Sequence, residues 1–195
     1  MMKNLYGLVL TGGKSTRMNR DKASLEYHGK KQSAFCYELL TRFCDKVFIS
    51  NRRDQDKEEG QRGYPQIHDL PVYEGIGPVA GILSAMTEYP DVAWLTLACD
   101  LPFVNQKTIQ HLMDHRNPKK VATAFVSTSD NLPEPLCAIY EPHAKDLLLS
   151  FFSGGKSCPR KFLINSDVEL LTQPDPNALT NVNTVEEYEK IKKIL

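Results

Sequence analysis

The chain has 195 residues, 41% of them hydrophobic, with 24 basic and 24 acidic side chains that cancel. That length predicts a single domain, residues 1–195, with a core large enough to fold without disulfide or metal staples. A neutral total excludes the basic excess of a sequence-independent nucleic-acid binder or a polybasic membrane binder, yet allows a local basic pocket for a small anion.

In chain order, Leu5–Leu10 is a short apolar run, read as a buried strand opening into the loop that begins Thr11-Gly12-Gly13. Residues 33–44 carry Phe35, Cys36, Leu39, Leu40 and Phe43 at helical spacing, and residues 46–50 form a second strand. Residues 52–63 are almost wholly polar and read as an exposed loop, with room for a short helix. A brief strand at Gln66–His68 leads into the loop 69–77. Pro78 sits at a first helical position, where a missing N–H costs nothing, and an amphipathic helix follows over 79–89.

Residues 92–98 form a strand running into Cys99-Asp100-Leu101-Pro102. A helix over 108–115, strands over 120–127 and 136–140, helices over 144–152 and 159–163, a strand at Val168–Leu171 and a charged helix over 185–195 complete the chain. Strands alternating with helices predict βαβ units and a Rossmann-like three-layer α/β/α fold with a mainly parallel sheet. In open sheets of that kind ligands bind beyond the carboxyl ends of the strands, so functional residues should follow the strands.

No apolar run approaches the ~20 residues that cross a bilayer, and the apolar segment after Asn4 is too short for a signal peptide. Cys36, Cys44, Cys99, Cys137 and Cys158 are odd in number and contain no CxxC pair. They read as reduced thiols of a cytoplasmic protein, with neither a membrane nor a nucleic acid as partner.

The strongest chemical signal is the first loop, Leu10-Thr11-Gly12-Gly13-Lys14-Ser15-Thr16-Arg17-Met18-Asn19-Arg20-Asp21-Lys22. Paired glycines after a strand let backbone N–H groups turn toward an anion, and Arg17 and Lys22 add fixed positive charge. A polyphosphate fits such a cradle. It is not a Walker A loop: the required earlier glycine would fall at Leu8 for Gly13, and at Ser150 for the second Gly-Lys-Ser at Gly155. Asp100, at the end of an apolar strand, is costly to bury unless a cation or hydrogen bonds answer it. Magnesium favours one or two carboxylates plus phosphates and waters, which makes Asp100 the candidate metal ligand; the alternative is a helix cap after Pro102. Asn51, which could bond a base edge, Asp69, the turn Gly75–Gly77, which could approach the base, and Gly81, which would let the helix pack close to the nucleotide, are weaker candidates.

The first loop resembles the signature of the nucleotidyltransferase superfamily, roughly L-x-G-G-x-S-x-R-M-x-x-D-K. With Asn51, Asp69, Gly77-Pro78-Val79-Ala80-Gly81, Cys99-Asp100-Leu101-Pro102, Glu134-Pro135-Leu136-Cys137-Ala138-Ile139-Tyr140 and Asn181-Val182-Asn183-Thr184, the chain resembles the molybdenum cofactor guanylyltransferase (MobA-like) family over nearly its whole length. The resemblance implies a fold of the nucleotide-diphospho-sugar transferase type and transfer of GMP from GTP to the terminal phosphate of molybdopterin (Mo-molybdopterin), with release of pyrophosphate. It implies GTP contacts at Leu10, Thr11, Gly12, Gly13, Lys22, Asn51, Asp69 and Asp100. It further implies Mg2+ at Asp100, catalytic roles for Arg17, Lys22 and Asp100, and a pterin side at Asn181 and Asn183. A transient contact with other cofactor-assembly proteins fits the same role. Thr11 stands where alanine is common and Asn19 where glycine is common; residues 155–161 follow the family pattern loosely.

Two other readings compete: a cytidylyl- or uridylyltransferase acting on a pterin, sugar or polyol phosphate, and a non-catalytic nucleotide sensor on the same fold. Joint retention of Lys22 and Asp100 argues against the sensor. His111 and His115 have zinc-compatible spacing but no third ligand in the sequence nearby, the lysines of the last helix are interleaved with acids, Trp94 reads as core, and Cys99 as a half-buried thiol.

Overall fold

Every residue of β1 (Leu5–Leu10) is buried, the pattern of a strand covered on both faces. Parity divides its side chains. Gly7 faces α1 (Gln32–Leu40), where an added Cβ would lie 3.1 Å from Leu40 Cδ1; Leu10 faces α2 (Pro78–Glu88), 3.4 Å from the Cβ position of Gly81. Helices therefore lie on both faces of the strand. The computed structural model describes residues 4–11, 24–52, 63–153 and 158–195.

β2 (Lys46–Asn51), β3 (Gln66–His68), β4 (Ala93–Ala98), β5 (Ala122–Val126), β6 (Pro133–Tyr140) and β7 (Val168–Leu171) join β1 in one sheet of order β3-β2-β1-β4-β6-β5-β7. β1 pairs in parallel with β2 and β4, as β2 does with β3 and β5 with β7. Only β6 runs against its neighbours. Its reversal comes from the short turn over residues 127–132, where Ser127 N donates to Leu132 O at 2.8 Å and Asn131 takes φ 57, a left-handed value asparagine tolerates. A connection this short can only return antiparallel. The fold is the expected α/β arrangement with a mainly parallel sheet.

The remaining helices are α3 (Gln106–Asp114), α4 (Ala144–Ser153), α5 (Pro159–Ile164) and α6 (Val185–Ile191). Two helices, α1 and α6, are shorter than the sequence predicts. Past Leu40 the N–H groups of Arg42 and Phe43 bond three residues back, and past Ile191 those of Lys193 and Ile194 do the same, so each helix closes in a tighter final turn. β6 is longer than expected, because a register shift between Ala124 and Val126 lets pairing continue to Val126 with Pro133. Most of residues 52–63, expected as an exposed loop, lies outside the described residues.

Tyr6, Phe48, Tyr89 and a fully buried Trp94 pack with ring centroids 5.3 to 6.1 Å apart near the amino ends of the central strands. The functional residues expected from the sequence follow the opposite, carboxyl ends of the strands. There the winding reverses between β1 and β4, which places a crevice at their ends. A second small cluster of Leu25, Tyr27, Val182 and Tyr188 fastens α6 to the segment that follows residues 12–23.

Candidate functional site

The four parallel strands β3, β2, β1 and β4 deliver Asp69, Asn51, Thr11 and Asp100 to the same edge of the sheet. Backbone bonds hold these ends in register: Thr11 N donates to Ser50 O at 3.3 Å, Asp69 N to Asn51 O at 3.1 Å, and Cys99 N to Leu10 O at 3.2 Å. Leu10 and Thr11 are both buried. Thr11 Oγ1 also donates to Ser50 O at 2.7 Å, so its hydroxyl fastens the end of β1 to β2. Gly12, Gly13, Arg17 and Lys22 lie outside the described residues.

Asn51 is 1% exposed, and its carboxamide is held at both ends. Nδ2 donates to Gln66 Oε1 at 2.9 Å and Oδ1 lies 2.8 Å from His68 Nδ1, which fixes the amide's orientation and requires the proton on that histidine nitrogen. Gln66 and His68 were not singled out in the sequence. Their role depends on the β2–β3 register, which pairs Asn51 with His68 and which spacing alone does not reveal.

Gly75 and Gly77 take φ values of 87 and 67, and Gly77 caps α2 just before Pro78. These are left-handed conformations that other residues adopt at a cost. Ser84 Oγ accepts from Leu70 N at 2.9 Å and donates to Ala80 O at 2.7 Å, tying the loop after Asp69 to α2. Gly81 packs against the sheet: a Cβ there would sit 2.0 Å from Ser50 Oγ. The helix N-terminus and its partial positive charge thus sit at the carboxyl edge.

Burial pushes the Asp69 carboxyl up to about 6, against the lowering influence of Arg52 and His68 and with a smaller upward push from Glu74. Asp100 ends β4 half-buried, with Oδ1 shielded from solvent. No group of three or more metal-ligating side chains occurs among the described residues. One shielded carboxylate fits a magnesium ion whose remaining ligands are phosphates and waters, and does not fit a cage built by protein alone.

Val182 N donates to Asp100 O at 2.9 Å, which draws the Asn181–Asn183 stretch alongside Asp100. Asn181 and Asn183 are exposed. Asn183 N and Thr184 N both donate to Glu187 Oε2, at 2.7 and 3.1 Å, and Thr184 Oγ1 accepts from Glu187 N at 3.2 Å. This capping box anchors the stretch to α6, and its signal, Thr184 three residues before Glu187, is present in the sequence. Beneath it lies a cavity of about 100 Å³ lined by Asp100, Leu101, Glu134, Leu136, Arg160 and Asn181. Glu134 and Arg160, 26 residues apart in the chain, meet here. Nearby, Tyr27 presents a buried hydroxyl with no hydrogen-bond partner among the described residues, pushed up first by burial and then by Tyr188 and Asp100.

The His111 and His115 rings pack 4.3 Å apart at the end of α3, where His115 Nδ1 meets His111 O at 2.9 Å. Cys99 is more deeply buried than expected, at 3% exposure, because β4 carries it into the core. All five cysteines are free thiols. Among the described residues no helix is long and apolar enough to cross a membrane.

A family model described as the MobA-like NTP transferase domain matches residues 7–168. A molybdenum cofactor biosynthesis bifunctional protein from Synechocystis is 37% identical over 187 residues, 96% of this chain and 53% of its own length. A protein from Bacillus cereus named probable molybdenum cofactor guanylyltransferase is 30% identical over 200 residues, covering all of this chain and 98% of its own. In fold, the crystal structure of molybdopterin-guanine dinucleotide biosynthesis protein A from Archaeoglobus fulgidus matches with a TM-score of 0.78 over 97% of both chains, at 23% identity.

Proposed function

The chain belongs to the MobA-like NTP transferase family, and from that premise we propose that it transfers GMP from GTP to the terminal phosphate of molybdopterin, carrying molybdenum, with release of pyrophosphate. The observation that carries this reading is the crevice itself. Four strand ends bring Thr11, Asn51, Asp69 and Asp100 to one edge, and Val182 N bonded to Asp100 O at 2.9 Å brings the Asn181–Asn183 stretch beside the last of them.

A phosphate oxygen of the acceptor attacks the α-phosphorus of GTP in line. A new P–O bond forms there as the bridge to the β-phosphate breaks, and pyrophosphate leaves. The attacking oxygen is already anionic, so no general base is needed and catalysis reduces to positioning and charge neutralisation. Asp100 would hold a Mg2+ ion together with the triphosphate. When bound, that ion neutralises charge on the attacking and leaving oxygens. Arg17, Lys22 and the amides of Gly12 and Gly13 cradle the phosphates, on the sequence argument. Asn51 and Asp69 face the nucleoside end, where a carboxylate can accept from the donor edge of guanine. Asn181 and Asn183 face the acceptor. The reaction belongs to the cytoplasm, consistent with five free thiols, with the acceptor passing to and from other cofactor-assembly proteins.

Removing one preorganised charge contact costs ~10²–10³ in rate. Asp100→Ala and Lys22→Ala should therefore lose pyrophosphate release by at least about that factor, while circular dichroism and thermal melting show a folded protein. Near-normal release by either folded variant would count against these roles.

A further inference from the structure

We propose that Glu134, held by Arg160, recognises the hydrogen-bond-donating edge of the acceptor's heterocycle, the 2-amino and N3–H groups of an aminopyrimidinone ring. The inference rests on the molybdopterin reading above and deepens it by stating which end of the acceptor enters which part of the site.

The β4–β6 register ends at Leu97 with Cys137; carried three residues further, it sets Asp100 opposite Glu134, and the two line one cavity. Glu134 is no surface acid: its side chain is 18% exposed. Arg160 Nη2 donates to Glu134 Oε1 at 2.9 Å, while Arg160 Nη1 donates to Asp130 Oδ2 at 2.8 Å. Arg160 is thereby stretched between two carboxylates, one on β6 and one in the β5–β6 turn, and holds Glu134 in place.

Charge decides what this end of the cavity takes. Among the described residues, two carboxylates against one guanidinium leave the triad acidic, and Asp100 adds to that sign. An acceptor phosphate is repelled there and belongs at the Asp100 end, where a cation would neutralise it. A neutral ring edge presenting two adjacent N–H donors matches a carboxylate in the bidentate manner of a guanidinium. The space agrees: about 100 Å³ holds roughly three waters at ~30 Å³ each, enough for one edge of a flat ring.

The test is fluorescence titration of the full-length protein, with GTP and magnesium present, using 6-hydroxymethylpterin as probe. 6-Hydroxymethyl-lumazine, whose 2-amino group is replaced by oxo, is the comparison. Wild type should bind the pterin and bind the lumazine at least about tenfold more weakly, since a charge-assisted contact is replaced by facing oxygens. Glu134→Gln should weaken pterin binding about tenfold or more and erase most of the discrimination. Glu134→Asp should retain a measurable preference, and GTP affinity should stay constant throughout. Equal binding of the two ring systems by wild type, or undiminished pterin binding by folded Glu134→Gln, would overturn the assignment. Absence of GMP transfer to molybdopterin by the same wild-type preparation would instead overturn the reaction assigned above, because the ring-edge comparison reads binding without turnover.

Discussion

At the scale of single residues, Asp69 and Asp100 occupy equivalent strand ends yet meet different surroundings. Burial raises Asp69 to about 6, so it gains its charge only as the solution approaches neutrality. If its carboxylate accepts from guanine, the KM for GTP should rise as pH falls below about 6, and Asp69→Asn should be uniformly weak with little pH dependence. A wild-type KM flat from pH 5 to about 7.5 would refute that role. Stability carries the opposite sign. A carboxyl raised in the folded state favours folding below its ordinary value of 3.8, and that contribution is lost as pH rises through about 6. Asp69→Asn should remove this part of the pH dependence. The Asn51 network was illegible in the sequence for a physical reason: Gln66 and His68 become its partners only through parallel pairing of β2 with β3. Thr11 was legible only as a departure from the family pattern; its bond to Ser50 O needed the neighbouring strand.

At the scale of elements, the packing of α2 on the sheet depends on Gly81, and the prediction is sharp because the contact is with one side chain. Gly81→Ala should destabilise by about 1–3 kcal/mol, as overpacking typically does, since its Cβ would meet Ser50 Oγ at 2.0 Å. Ser50→Ala should recover part of that loss in the double variant, a coupling measurable by denaturant unfolding. Purely additive effects would show that the helix moves away without strain. The sequence suggested that Gly81 lets the helix approach a nucleotide; the structure places the close approach on β2. The strand ends themselves were readable, because apolar runs stop at polar residues. The reversed direction of β6 was not, since buried strands read alike whichever way they run, and only the tight turn over 127–132 settles it.

At the scale of the molecule, β3, β2, β1 and β4 form the parallel half of the sheet, and the antiparallel β6 brings Glu134 to the cavity it lines with Asp100. The capping box of α6 and the cluster of Leu25, Tyr27, Val182 and Tyr188 lock the Asn181–Ile191 segment to Leu25 and Tyr27. The fold is shared with the Archaeoglobus protein at 23% identity, and a shared topology does not set nucleotide choice, which the proposed function gives to the side chains around Asn51 and Asp69. Protection against heating by GTP with magnesium should accordingly exceed that by CTP, UTP or ATP; an equal or larger effect of CTP would favour a cytidylyltransferase.

The most direct measurement supplies GTP or CTP, each labelled at the α-phosphate, to the purified protein with molybdopterin and magnesium, and follows the label. Label from GTP should move to the pterin product with one pyrophosphate released per transfer, CTP should react far more slowly, and Asp100→Ala should abolish the movement. Faster transfer from CTP, or transfer that survives the loss of Asp100, would contradict guanylyl transfer at this crevice.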